Sequence, residues 1–112
     1  MTTAAFATVA TFDLDLDREA EQRAGLEQVI LPSVRQAPGF VSGTWTLDRR
    51  LCQSTVVVLF DSTEAAEAFT DSVRLNAPNQ EAVGISLREI RVVEVTAVAS
   101  QGQPREDEAP RP

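Results

Sequence analysis

The stretch Ala37-Pro38-Gly39-Phe40-Val41-Ser42-Gly43-Thr44-Trp45 closes a helical pattern and opens a strand that carries the only tryptophan. Pro38 fixes φ near the value a type II turn needs, and Gly39 accepts the positive φ that follows. Upstream, Leu26, Val29, Ile30, Val34 and Ala37 form an apolar stripe at helical spacing, so a helix is expected from Asp17 to about Gln36. Asp17 is expected to cap it, with Glu19 and Glu21 in the first turn, where the helix dipole favours negative charge. Pro32 should kink or interrupt it, because the ring displaces a backbone hydrogen bond. Downstream, a strand over Phe40–Leu47, a polar connection Asp48-Arg49-Arg50-Leu51 and a strand over Gln53–Phe60 complete the middle of an α+β sandwich.

The flanks extend the same order. Phe6–Phe12 is a run of β-branched and aromatic residues and reads as a first strand. Asp61-Ser62-Thr63-Glu64 has capping-box spacing and opens a second helix. Its buried face is expected at Ala65, Ala66, Phe69 and Val73, and its end at the turn-forming Asn76-Ala77-Pro78-Asn79. A long last strand follows near Ile85–Ala99. The expected fold is α+β: a ferredoxin-like βαββαβ chain, with a four-stranded antiparallel sheet and both helices on one face. Residues 1–99 form one domain in this reading, and residues 100–112 a polar, disordered tail. Valines on both faces of the later strands would leave the second sheet face wet, so a second copy of the chain is expected to cover it. The partner is therefore the chain itself, as a homodimer.

Composition narrows the chemistry. The chain has 112 residues, no His, no Tyr, one Cys and a formal net charge of −7. Every cation is Arg, which with abundant Ala and Val suggests a high-GC bacterial genome. The arginines are scattered and only Arg49-Arg50 are adjacent, at a solvated hairpin tip, so nucleic acid is not an expected partner. The longest apolar run, Val56–Phe60, falls far short of the ~20 residues a membrane span requires. A basic leader is missing from the N-terminus and Cys52 has no disulfide partner, so a cytoplasmic location is expected. Asp13, Asp15 and Asp17 alternate like the start of a calcium loop, but Arg18 stands where that loop needs Gly and Ala24 where it needs Glu. Without His or paired Cys, no metal site, no cofactor and no activated thiolate at Cys52 is expected.

Three features resemble the antibiotic biosynthesis monooxygenase-like family of dimeric α+β barrel proteins, over roughly residues 5–98. They are Pro32 followed by Ala37-Pro38-Gly39-Phe40, the junction VVVLFDSTEAAEAF (Val56–Phe69), and the closing LREIRVVEVTAVA (Leu87–Ala99). The resemblance implies a dimer with one pocket per subunit, between sheet and helices. Characterised members include cofactor-free oxygenases of polycyclic phenols, haem-degrading oxygenases and enzymes of quinol oxidation. Their pockets use Trp, Asn, Arg, Tyr and sometimes His. Trp45 is the candidate match for the pocket tryptophan, and Tyr and His have no match here. The haem-degrading branch needs an axial His and is not expected.

Each candidate residue has a plain reading beside the chemical one. Trp45 shares a strand face with Val41 and Gly43, and serves either as a core or interface tryptophan or as a pocket wall. Asn76 either ends a helix or polarises a substrate carbonyl. Alternation puts Glu89 and Arg91 on one face of the last strand and Arg88 and Glu94 on the other. These four either form ion pairs or supply a carboxylate base and an Arg91 anion holder. The catalytic candidates are thus Trp45, Asn76 and Arg91, and the pocket-lining candidates Phe6, Phe12, Gly43, Trp45, Phe69 and Val73. The leading expectation is a homodimer that binds a small apolar or aromatic molecule. One alternative is a cofactor-independent monooxygenase oxidising a phenolic or polyketide-like substrate with O₂, and a further one is a structural dimer without ligand.

Overall fold

The structure, a computed structural model, describes residues 3–101. The element order is β1 (Phe6–Leu14), α1 (Glu19–Gly25), a π-helical segment (Leu26–Ile30), α2 (Leu31–Arg35), β2 (Phe40–Trp45), β3 (Gln53–Phe60), α3 (Thr63–Glu81) and β4 (Ile85–Glu94). The four strands form one antiparallel sheet in the order β2-β3-β1-β4. This is the ferredoxin-like βαββαβ arrangement, with the helices on one face. The expected tail falls outside the described residues from position 102 onward.

Period-two alternation decides which side chains meet the helices. On β1 these are Thr8, Ala10 and Phe12, paired with Val58, Val56 and Ser54 of β3. Val58 and Phe60 are fully buried beneath α3, as is Ala66 from the helix itself. Small residues let α3 approach closely: the Thr8 and Thr70 hydroxyls lie 3.1 Å apart, and both reach the Ala66 carbonyl, at 3.0 and 2.9 Å. Hydrogen bonding of both hydroxyls removes most of the cost of burying them.

The turn at Pro38-Gly39 forms as its residues dictate. Gly39 has φ +77, and the Phe40 amide donates to the Ala37 carbonyl at 3.1 Å. Ser62 caps α3 by accepting from the Ala65 amide at 3.1 Å. Pro32 interrupts the first helix as expected, and the form is a π-helical turn in which the Leu31 amide donates back to Leu26. Widening the preceding turn places the proline near the start of α2, where its missing N–H costs little.

Several expectations change. Asp15, rather than Asp17, is the cap: its carboxylate accepts from the Asp17 amide at the start of a 3-10 turn, Leu16–Arg18. The second helix runs through Pro78 to Glu81 instead of ending at Asn76–Asn79. A proline inside a helix costs ~3 kcal/mol, and docking of the helix end offsets it. Gln22 Nε2 donates to the Asp15 and Val83 carbonyls at 2.8 and 2.9 Å, and the turn after Glu81 closes at Gly84, with φ +83. The last strand ends at Glu94, since past the Val95 amide, which donates to Ala5 at 2.8 Å, it outruns its neighbour β1. Strand β2 stops at Trp45 rather than Leu47. A register shift between Phe40 and Ser42 makes Val41 the extra residue, so Phe40, opposite Phe60, takes the place expected of Val41 on the face of Gly43 and Trp45. A second shift in the β1–β4 ladder, at Thr11/Phe12, turns Arg88 toward Asp13 at 3.8 Å instead of leaving it with Glu94. Glu89 and Arg91 do share a face, joined at 2.7 Å.

The sheet face opposite the helices carries Ala7, Val9, Val57, Leu59 and Val93, flanked by the Glu89–Arg91 and Arg88–Asp13 pairs. Among the described residues, no helix is long and apolar enough to cross a membrane.

Candidate functional site

The first helical layer does not close on the sheet as α3 does. Between them lies a cavity of about 400 Å³, floored by Thr8, Ala10 and Phe12 of β1 and walled by Leu26, Val29 and Ile30 of the π turn and by Phe69, Val73 and Asn76 of α3. Trp45 closes the β2 side. The π turn carries Leu26, Val29 and Ile30 over this floor, and Ile30 also packs against the core. Val29 remains 62% exposed, so the cavity opens to solvent along this edge. Its volume is within the ~300–1,000 Å³ usual for small-molecule sites.

Trp45 is placed by its neighbour. A Cβ on Gly43 would lie 2.8 Å from Cζ3 of the indole and 3.1 Å from Cη2. The ring therefore occupies the room the glycine leaves, with Val56 as the opposite residue on β3. On the far wall, Phe69 packs against Phe60 with ring centroids 5.3 Å apart, which fixes that side of the floor.

Of the residues singled out from the sequence, Phe12, Trp45, Phe69, Val73 and Asn76 are brought together around this one space. Asn76 arrives there from the body of α3, and its Oδ1 accepts from Asn79 Nδ2 at 2.9 Å. The Asn76 Nδ2 has no protein acceptor among the described residues. Gly43 lines a smaller recess on the other side of Trp45, beside Val34 and Phe40. Phe6 packs at the edge of the core, and Arg91 is on the opposite sheet face with Glu89. Cys52 is exposed in the β2–β3 connection with φ +55. Among the described residues, no group of three or more His, Cys, Asp or Glu side chains could hold a metal ion.

The polar end of the cavity was not legible in the sequence. Glu19, Gln22 and Arg23 of α1 line it. Glu19 binds Arg49 of the β2–β3 connection through two parallel hydrogen bonds, Nη1 to Oε1 at 3.0 Å and Nη2 to Oε2 at 2.8 Å. Arg23 Nη2 adds a third donor to Oε2 at 3.2 Å. These bonds, that of Arg49 foremost, hold the Glu19 carboxyl below the usual glutamate range, and Glu19 in turn raises the Arg49 guanidinium. The two partners are 30 positions apart, so no local spacing could have announced the pair. Arg49 and Arg50 read as a plain hairpin tip; an Asp48 carboxylate that accepts the Arg50 and Leu51 amides at 3.0 and 3.1 Å sets the loop that delivers Arg49.

Comparison with known proteins supports the fold and no more. Neither a family model nor a curated protein matches the chain. Solved structures do. A protein of unknown function from Nitrosomonas europaea superposes with a TM-score of 0.69 at 16% identity, over 92% of this chain and 100% of its own. A monooxygenase of Streptomyces coelicolor, in complex with the ligand nanaomycin D, gives 0.61 at 17% identity over 89% and 93%. A heme degrader of Mycobacterium tuberculosis with two hemes in its active site gives 0.55 at 18% identity over 85% and 99%. Solved proteins provisionally named antibiotic biosynthesis monooxygenases share the fold as well. The chain thus has the ferredoxin-like fold of antibiotic biosynthesis monooxygenase structures.

Proposed function

We propose that the protein is a homodimer that binds one small apolar or aromatic molecule per subunit, in the cavity between sheet and helices. The observation that carries this reading is the open space of about 400 Å³ beside Trp45, walled by aliphatic and aromatic side chains with Asn76 as a polar group at the far side. A purely structural dimer would be expected to close that space, since apolar walls left open to water forfeit the free energy of burial. The dimer is supported by the partly exposed valines and leucine of the second sheet face. Native mass spectrometry on freshly purified protein tests both parts. Twice the chain mass plus an increment lost on denaturation is the expected result. A monomer, or a dimer to which no apolar aromatic compound can be added, would overturn it.

A second reading is favoured by the meeting of Trp45 and Asn76 in one cavity and by the shared fold of the Streptomyces coelicolor monooxygenase. Here the protein acts as a cofactor-independent monooxygenase on a phenolic substrate. An electron-rich substrate reduces O₂ itself, so the pocket need only orient it and polarise its oxygen, a task an amide can do. Oxygen uptake with a phenolic substrate, lost in Trp45→Phe or Asn76→Ala, is the expected outcome. Uptake indifferent to both changes would remove this reading.

A further inference from the structure

We infer that the molecule held in this cavity is an organic anion, an apolar or aromatic body bearing one carboxylate, and that Arg23 receives the carboxylate. This rests on the reading of the cavity as a ligand site and adds the charge of its occupant.

Two charged side chains line the cavity, Glu19 and Arg23, both from α1 and both at the end nearest the β2–β3 connection. Their charges do not cancel. Glu19 is already matched by Arg49, which meets both carboxylate oxygens at 3.0 and 2.8 Å in the planar fork geometry that guanidinium and carboxylate prefer. Arg23 joins that pair through one nitrogen at 3.2 Å, and its remaining donors have no protein acceptor among the described residues. The group of three, Glu19 with Arg23 and Arg49, therefore carries one cation in excess. It does so in a chain whose formal net charge is −7.

A neutral ligand would leave the spare donors of Arg23 unused, and a cationic one would be repelled. A carboxylate can take the unused side of the guanidinium as Glu19 takes the Arg49 fork. Its apolar body then lies along Leu26 and Ile30 toward Trp45. The Arg23 side chain is 59% exposed, so the contact is made at the solvent-facing mouth of the cavity and its strength is that of a partly screened charge pair. Long-range repulsion by the acidic surface slows such a ligand's approach but is screened over about 10 Å at ordinary salt. Recognition is then a short-range property of the cavity.

Isothermal titration calorimetry with 2-naphthoate and 2-naphthamide tests this, since the two share shape and differ in charge. At about 0.1 M salt, where the repulsion is screened, and slightly alkaline pH, the naphthoate is expected to bind roughly threefold to fivefold tighter, the effect of one partly exposed charge pair. In Arg23→Gln that preference should vanish, chiefly through loss of naphthoate affinity, with Trp45 emission confirming a native fold. Equal affinities in the wild type would overturn the inference while leaving the cavity reading intact. So would a preference that survives Arg23→Gln. Binding of neither compound would overturn both.

Discussion

Trp45 keeps its position because Gly43 has no side chain to dispute it. A methyl group there would sit 2.8 Å from the indole, well inside van der Waals contact. Gly43→Ala is therefore expected to lower stability by roughly 1–3 kcal/mol, the usual cost of overpacking. Because the ring must tip toward the cavity, the tryptophan emission maximum should shift as well. Urea denaturation and fluorescence on one sample measure both, and an unchanged midpoint with unchanged emission would contradict this placement. At this scale the sequence is informative about residue types and poor about partners. Trp45, Phe12 and Phe69 are large aromatics on strand or helix faces, which is visible from alternation and periodicity. Arg23 and Glu19 look like any i, i+4 pair of a helix, because what distinguishes them is Arg49, 30 positions from Glu19.

At the scale of elements, local signals decide wherever no tertiary contact competes with them. Ser62 caps α3, Pro38-Gly39 turns the chain, and β3 runs from Gln53 to Phe60 as its β-branched run predicts. Local signals fail where docking outweighs them. Pro78 argues for a helix end, and α3 passes through it because Gln22 and Gly84 fix the chain several residues later. The two register shifts, at Val41 and beside Arg88, leave no mark on the alternation from which faces are read. The Arg49–Glu19 contact has a consequence at this scale, since it ties the β2–β3 connection to α1. The folded carboxyl titrates below its unfolded value. Its contribution to stability is therefore complete above the unfolded value and fades as pH falls through the folded one. Melting temperatures of wild type and Arg49→Gln are expected to differ near neutral pH and to converge on acidification below the ordinary glutamate range. A gap that stayed constant into strong acid would show that Arg49 acts through something other than the Glu19 charge.

For the whole molecule, the sheet has two unequal faces. One is covered by helices; the other shows Val9, Val57, Leu59 and Val93 with ion pairs at its border. If a second copy covers that face, Val57 lies near the middle of the contact, opposite Val9 and Thr44 in the ladder. An arginine there would place an unpaired charge in a dry interface, which costs several kcal/mol. Multi-angle light scattering at micromolar concentration is expected to give twice the chain mass for the wild type and the single chain mass for Val57→Arg. A wild type that runs as a monomer would refute the sheet-on-sheet assembly. Consecutive valines on β3 and β4, which put apolar side chains on both faces, made this second face legible from sequence alone. The openness of the opposite cavity was not, since it depends on how the first helical layer sits over the sheet, which is a tertiary property.

The Gln22 amide bridges Asp15, just past the end of β1, and Val83, just past α3, a separation of 61 residues along the chain for the second contact. Closing a loop of this length is entropically costly, so the contact is expected to form late in folding rather than in the nucleus. Gln22→Ala should therefore leave the refolding limb of a chevron plot nearly unchanged and raise the unfolding rate. Refolding slowed in proportion to the stability lost would mean that α1 and the end of α3 already meet in the transition state. A single buried amide would then govern how long the native state lasts, and have little say in how quickly it is reached.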